Sequence, residues 1–480
     1  MTADHIAFHA AERPDAIALV DNGRALTYAE FSRDIRKFTR AVHEFGLPRG
    51  ATLAIDCDDN YFNWLLRLAC EELGLVTATF IVPEGRGSQL LLRDFDLVLS
   101  GKDIPADSAK RHHRITSQWL QGILARADVG PVPKPAKGPD DPLRIKHTSG
   151  TTGTPKKVLY SRRIHEGLIT KTMWIAGFTR RSRYLLALPR TVPGPAGCIR
   201  AGGTVIIEDR MSVGQAITTH AITHTSLAAI QLKKILDELP ANFAKPPELT
   251  ILSSGAAIPG VLRDRALARL ATDVCDIYGC NEAGYISSTQ GHAEFGSVWP
   301  GVQIEVVDER DHPVPQGEIG RIRIKSDCMV QGYLDDPETT GRVFRDGWFY
   351  AGDLGILRDA HRLQVIGRSD DVLNIGGLKI SPSALEDLIL RGAEVGDVGV
   401  CSIRNADGVE EICVVASNPG GSDQKLREQI LRVFRNAQIG GFHVITMDRI
   451  PRNTNGKIQR DILKSAAAKS IHARYFAAGR

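Results

Sequence analysis

Residues 147–158 read HTSGTTGTPKKV, and their types and spacing suit one kind of chemistry. Gly150 and Gly153 let the backbone turn tightly, so that several N–H groups converge on one point. Hydroxyl residues add donors, and Lys156 and Lys157 add positive charge. The target such a loop suits is a polyphosphate. The spacing is not that of a Walker A loop, which places four residues between its glycines and a lysine directly after the second. Here Lys156 comes three positions after Gly153. A P-loop kinase or GTPase is therefore disfavoured.

The loop resembles the phosphate loop of the adenylate-forming superfamily, T-S-G-[ST]-T-G-x-P-K-G. That family comprises acyl- and aryl-CoA synthetases, peptide-synthetase adenylation domains and firefly-type luciferases. The resemblance extends over nearly the whole chain and keeps the family's order. HAAERPDAIAL and LTYAEF stand near the start, followed by SSGAAIP at 253–259 and YGCNEAG at 278–284. GEIGRIRIKS, MVQGYLDDPETT, DGWFYAGDLG, GRSDDVLNIGGLKISPSALED and PRNTNGKIQRDIL come after them.

The resemblance implies a two-step reaction. A carboxylate attacks the α-phosphate of MgATP to give an acyl-adenylate and pyrophosphate, and the thiol of coenzyme A then displaces AMP. It implies ATP, Mg²⁺ and coenzyme A as cofactors or co-substrates. Catalysis of this kind rests on positioning and electrostatics rather than on a protein nucleophile. Carried over position by position, Thr148, Ser149, Gly150, Thr151, Thr152, Gly153 and Lys156 hold the β- and γ-phosphates. Glu282 holds Mg²⁺, an ion that prefers hard oxygen ligands. Tyr278 stacks on adenine, with Gly255, Ala256 and Asp276 framing the purine. Asp353 accepts the ribose hydroxyls, and Arg368 supports the ribose or phosphate. Lys457 is the catalytic lysine, bridging carboxylate and α-phosphate as charge builds. Asp370 is the hinge of a rotating lid, and Gly376 and Gly377 face the pantetheine arm in the second state.

Some positions depart from the family pattern. Lys157 replaces a glycine, adding charge near the phosphates or pointing to solvent; Asn281 replaces the threonine before Glu282, and Ala351 a hydroxyl residue. The stretch 188–203 (LPRTVPGPAGCIRAGG) is short and lacks both the aromatic or histidine gate and the helix expected there. The acyl pocket borders this stretch, so substrate choice transfers least. A shortened wall fits an open pocket or one completed by a partner subunit.

Other constellations carry less. His220 and His224 (HAITH) have i, i+4 spacing but lack the following glutamate of a zincin, and read as a partly buried or surface pair. His112 and His113 read as a solvated face, and no G-x-S-x-G elbow occurs. The 8 cysteines form no C-x-x-C pair, which favours free thiols in a reducing compartment.

These residues need a scaffold. Residues 26–46 read as an amphipathic helix, with Thr27 and Glu30 as a capping box and Gly46 at the stop. Short apolar runs at 52–55, 97–99, 185–188, 204–207 and 250–252 read as covered strands. Helical stretches at 212–219 and 226–239 alternate with them, which is the α/β pattern. Residues 130–142 form a Pro/Gly/Lys-rich linker or loop, and strand–turn units from about 300 suggest an antiparallel subdomain. The C-terminal part predicts helices near 382–391 and 422–437 and strands near 397–403 and 411–417. The expected fold is α/β, a large N-terminal body over 1–369 with two α/β sheet subdomains and a small antiparallel β subdomain. An α+β lid over 370–480 completes it.

Composition agrees with an enzyme of this size. The chain has 480 residues, 42% hydrophobic and 24% charged, enough for a large core. Lys+Arg 60 against Asp+Glu 56 leaves +4, which does not suggest a nucleic-acid binder. No run long enough for a membrane span and no secretory leader is read, so a cytoplasmic location is expected. For partners, the resemblance implies a small-molecule carboxylate and leaves an acyl carrier protein and a homodimer open. Two alternatives to a CoA ligase stand: a freestanding enzyme that loads an acyl carrier protein, and a nucleotide-binding paralogue without synthetase activity.

Overall fold

Local signals set the elements. Thr27 Oγ1 accepts from the Glu30 amide at 3.1 Å, and the Thr27 amide donates to Glu30 Oε2 at 2.8 Å, closing the capping box of helix Tyr28–His43. A cap of this kind contributes about 1 kcal/mol. Ser212, Ser381 and Ser422 cap Val213–Thr219, Pro382–Gly392 and Asp423–Asn436 in the same way. Gly46 follows its helix with φ +65°, a conformation glycine adopts without steric cost.

The computed structural model describes residues 1–79, 92–104, 109–127, 132–148, 156–188, 193–375, 378–404, 410–417, 422–437, 439, 442–453 and 456–478. The fold is α/β, with two large sheets in the body. A 6-stranded sheet has His112–Arg114 at one edge and Lys156–Ser161 at the other. Its strands Thr52–Asp56, Val76–Thr79 and Leu97–Ser100 are parallel, whereas Pro142–Thr148 and Lys156–Ser161 form the antiparallel pair that flanks the glycine-rich loop. A 14-stranded sheet runs from Val302–Val307 to Arg24–Thr27. Its parallel part joins Thr204–Ile207, Arg183–Leu185, His224–Ser226, Thr250–Ser254 and Asp273–Cys280. The strands beyond residue 300 are antiparallel, as their texture suggests, and they join this same sheet. Gly296–Val298 bonds to both Gly284–Gln290 and Arg362–Arg368, so the second α/β sheet runs without a break into the antiparallel region.

Helix Pro193–Arg200 is a correction to the sequence reading, which expected no helix there. Proline suits a first helical turn. Gly194 and Gly197 are what allow this helix close approach: a Cβ at Gly194 would collide with Tyr184, and one at Gly197 would lie 3.0 Å from Phe178. The helix packs on Arg162–Ala176 and on Thr2–Glu12. His220 and His224 do not share a helix despite their spacing, and no zincin site is formed. His220 ends its helix, while His224 lies on a strand, buried, with Nε2 2.8 Å from the Ala176 carbonyl. The His113 ring also packs against Trp119, with centroids 4.6 Å apart and planes tilted by 56°, rather than facing solvent.

The C-terminal part builds on three strands. Asp397–Arg404 and Glu410–Ser417 are antiparallel, and Phe442–Thr446 runs parallel to the second. Pro382–Gly392 and Asp423–Asn436 cover one face through Leu385, Ile389, Leu426, Ile430 and Phe434. Arg460–Ala478 covers the other through Leu463 and Ala467. Alternate residues of one strand feed the two cores: Val398 and Val400 on one side, Cys401 and Ile403 on the other.

Candidate active site

A cavity of about 1390 Å³ opens between the body and the C-terminal part. Lys156, Gly255, Ala256, Asp276, Tyr278, Glu282, Asp353, Arg368, Asp370 and Lys457 all line it. These residues come from segments up to 301 positions apart (156 to 457), brought together by the ends of sheet strands.

Tyr278 lies on Asp273–Cys280, and its hydroxyl donates to Asp353 Oδ2 at 2.6 Å. Burial raises the Asp353 carboxyl above its ordinary range; the Tyr278 hydrogen bond and the Arg368 and Lys457 charges oppose that rise. Burial and the neighbouring Asp353 push the Tyr278 phenol well above its usual value, so it stays a donor. Asp353 stands opposite Arg368 in the pairing of Trp348–Asp359 with Arg362–Arg368, and Arg368 Nη1 is 3.7 Å from Asp353 Oδ1. The same nitrogen donates to the Ala351 carbonyl at 2.6 Å. Gly352, with φ +71°, makes room: a Cβ there would lie 2.9 Å from Arg368 Nη2.

Gly255 adopts φ +96° in the turn after Thr250–Ser254, and nothing lies within 4 Å of where its side chain would start. Asp276 holds this segment in place. Its Oδ2 accepts from the Ile258 amide at 2.9 Å and from Arg263 Nη2 at 3.2 Å.

Glu282 is 8% exposed and accepts from the Tyr333 hydroxyl at 2.9 Å. The Lys156 ammonium sits 4.9 Å from the centre of the same Tyr333 ring and 3.7 Å from Asp336 Oδ2. Tyr333 therefore ties the acid of one motif to the lysine of another, and no sequence signal singled it out. Asn281, the departure beside Glu282, is a tie as well. Its Nδ2 donates to the His147 carbonyl at 3.1 Å, and its Oδ1 accepts from Tyr160 at 3.3 Å. Lys157 faces neither ligand nor bulk solvent but pairs with Asp94 at 2.5 Å and Asp335 at 2.8 Å. Those two carboxylates raise its pKa against the opposing effect of burial.

Lys457 projects from a turn in the C-terminal part. Its amide donates to Asn453 Oδ1 at 3.0 Å, and Arg452 Nη1 donates to the Gly456 carbonyl at 2.7 Å. Arg452 is itself fixed by two hydrogen bonds to Asp397, at 2.8 and 3.0 Å. Gly456 meets the body directly: at φ +78°, a Cβ there would lie 2.7 Å from Ile230 Cγ2. The two parts also touch through Asp387, which accepts from the Val261 amide at 3.3 Å, and Arg391, 3.4 Å from Asp264. Asp370 is exposed, beside Ser369, whose amide and hydroxyl both donate to the Gly352 carbonyl.

Thr148 ends Pro142–Thr148. Ser149, Gly150, Thr151, Thr152 and Gly153 lie outside the described residues, as do Gly376 and Gly377. All 8 cysteines are free thiols. Cys280 lines the cavity, and burial together with the Glu282 charge pushes its thiol far above the usual range. Burial pushes Cys70, Cys198, Cys275 and Cys328 up to about 12.

Comparison with known proteins agrees with this geometry. The family model described as "AMP-binding enzyme" matches residues 6–334. Among curated proteins, a fatty acid–[acyl-carrier-protein] ligase, MmaC of Mycobacterium marinum, is 26% identical over 97% of each chain. A salicylyl-CoA synthase / salicylate adenylyltransferase of a Streptomyces species is 25% identical over 94% of this chain and 92% of its own. Among solved structures, ATP-bound MatB from Rhodopseudomonas palustris superposes with a TM-score of 0.84 at 22% identity, covering 97% of this chain and 99% of that one.

Proposed function

The chain belongs to the AMP-binding enzyme family, and on that premise we propose that it is an ATP-dependent acid–thiol ligase with coenzyme A as acceptor. The observation that carries this reading is the meeting of Lys156, Glu282, Asp353 and Lys457 in one cavity, the last from a separate structural unit. The first half-reaction forms a bond between a carboxylate oxygen and the α-phosphorus of ATP and breaks the bond to the β-phosphate bridging oxygen. Pyrophosphate leaves. In the second, a thiol sulfur attacks the acyl carbon, and AMP leaves with the bonding pair.

On this reading the body's residues bind and orient. Asp353 accepts the ribose hydroxyls, a task for which a carboxylate has two oxygens available. Tyr278 offers its ring to the adenine, and its hydroxyl fixes the Asp353 carboxylate. Lys156, with the glycine-rich loop, holds the terminal phosphates. Lys457 stabilises the charge that builds between carboxylate and α-phosphate. Among the described residues no group of three or more His, Cys, Asp or Glu is arranged to hold a metal unaided. Glu282 nonetheless fits Mg²⁺, which takes one or two carboxylates and completes its shell with phosphate and water oxygens. Tyr333 engages only one oxygen of Glu282, and the bound ion would neutralise phosphate charge there.

Residues 1–369 are taken as the body and 370–480 as the mobile lid, with Asp370 as the hinge. The exposed turn between the sheet residue Arg368 and the hairpin strand Leu373–Ile375 supports that placement. A second reading has an acyl carrier protein as acceptor, favoured by the relative from M. marinum. Exchange of labelled pyrophosphate into ATP across a carboxylate panel tests the first half. Transfer from pre-formed acyl-adenylate to free coenzyme A or to carrier proteins separates the two acceptors. Absence of exchange with every acid refutes the ligase reading and favours a nucleotide binder without synthetase activity.

A further inference from the structure

One cation in the cavity has no task in the reaction as described. Lys146 lies on Pro142–Thr148, two residues before Thr148 and so about 7 Å from it along the strand. Side chains alternate along that strand. Ile145 joins the core on one face, whereas Arg144 and Lys146 share the opposite face. Lys146 lines the cavity beside Tyr160, His165 and Leu168.

The nearby anion is engaged elsewhere: Glu71 pairs with the fully buried Arg144. The Tyr160 hydroxyl donates to Asn281. Among the described residues no hydrogen bond or ion pair reaches the Lys146 ammonium. Burial, then the charges of Arg144 and Arg67, lowers its pKa to about 7. His165, on Arg162–Ala176, is 4% exposed and kept neutral by burial, so it adds a polar edge without charge. An ammonium walled by Leu168, facing a cavity and without an anionic partner, is costly unless it gives up its proton or an anion enters.

We propose that the acid this enzyme activates carries a second carboxylate, and that Lys146 holds it. The proposal rests on the ligase reading, since it places the acid with one carboxyl at the α-phosphate and the other at Lys146. Opposite charge favours the protonated lysine, so binding takes up a proton at neutral pH. The charged or titratable groups facing this site are Arg144 and His147 on its own strand, Tyr160 on the neighbouring Lys156–Ser161, Arg67 and Glu71 on Asn60–Glu72, and His165 on Arg162–Ala176, which Arg200 acts on in turn.

The test compares pyrophosphate exchange with succinate, glutarate and adipate against butyrate, valerate and hexanoate. The wild type should prefer the diacids. K146M should lower kcat/KM for a diacid about 10- to 100-fold, the range for losing a hydrogen bond to a charged group, through KM. The monoacids and the KM for ATP should not change. For the wild type, diacid kcat/KM should fall tenfold per pH unit above about 7, and K146M should lack that limb. K146Q serves as the second variant should the methionine variant fail to fold. A wild-type preference for monoacids overturns the proposal, as does an equal loss for both series with a raised KM for ATP. If neither series nor any acid of the wider panel supports exchange, the ligase reading fails. Calorimetric titration of the diacids into wild type and K146Q then decides Lys146 alone, and equal affinities overturn its assignment.

Discussion

Replacing Gly456 by alanine separates the stability of the lysine-bearing turn from its docking on the body. Two effects arise from the structure, and they have different readouts. The first is backbone strain, since Gly456 has φ +78° and an alanine held left-handed costs about 1–2 kcal/mol. That strain accompanies the turn wherever the lid stands, so it lowers stability without biasing lid position. The second is contact. The new methyl group would sit 2.7 Å from Ile230 Cγ2, whereas carbon atoms rest at about 3.5–4.0 Å. Ile230 is 44% exposed and has room to move, so relief requires an off-rotamer side chain at about 0.5–1.5 kcal/mol. Only the docked lid bears this second cost, and it should slow adenylation by about 2- to 12-fold at 1.4 kcal/mol per decade. Transfer to thiol from supplied acyl-adenylate should be spared. Adding Ile230→Ala removes the 2.7 Å contact and leaves Ile230 Cβ at 3.1 Å, so it should restore part of the adenylation rate but none of the lost stability, as a double-mutant cycle reports. The measurements are pyrophosphate exchange, single-turnover thiol transfer and denaturant melts on the four proteins of the cycle. If Ile230→Ala leaves the slowed exchange unchanged, or restores the melt as well, the division between docking and strain is wrong.

Lys457→Ala should cut pyrophosphate exchange by roughly 10²–10³, the usual effect of removing one charge-stabilising group, while thiol transfer from acyl-adenylate survives. Equal loss of both half-reactions would deny Lys457 its step-specific role. Tyr333→Phe removes the 2.9 Å hydrogen bond that orients Glu282. It should raise the Mg²⁺ concentration for half-maximal exchange by about 10-fold, the lower range for an outer partner of a metal ligand. Asp353→Asn tests the raised carboxyl. Burial lifts its folded pKa above the unfolded value of about 3.9, so the folded state holds the proton more tightly, and its stability contribution is lost as pH rises. The asparagine variant should therefore melt higher than wild type at pH 7, with the gap closing towards about pH 4; calorimetry across that range checks the sign.

Much of the scaffold was legible because its signals are local. Thr27 and Glu30 are three residues apart and define a helix start without any knowledge of the rest. The motif residues Tyr278, Glu282, Asp353 and Lys457 were legible through resemblance, and all of them line the cavity. What escaped depends on long-range packing. Helix Pro193–Arg200 looks like a proline- and glycine-broken loop until Tyr184 and Phe178 are seen to need those glycines. His220 and His224 have a helical spacing, but the helix ends at the first of them. Tyr333 stands within MVQGYLDDPETT, where the sequence reading assigns it no role, and Lys146 stands in no distinctive pattern. Their importance comes from neighbours 51 residues away at Glu282 and, for Lys146, from the pairing of Arg144 with Glu71 across 73 residues.

The partly buried Cys280 bears on chemoselectivity. An acyl-adenylate is an electrophile, and the reaction proposed here ends when a thiolate attacks it. Cys280 is a thiol lining the chamber in which that electrophile would form. Only the ionised sulfur is a competent nucleophile. Desolvation of Cys280 raises its pKa and keeps that sulfur protonated. Desolvation thus also protects the protein from its own product: the electrophile is preserved for an incoming thiol, and self-acylation is suppressed without removing sulfur from the chamber wall.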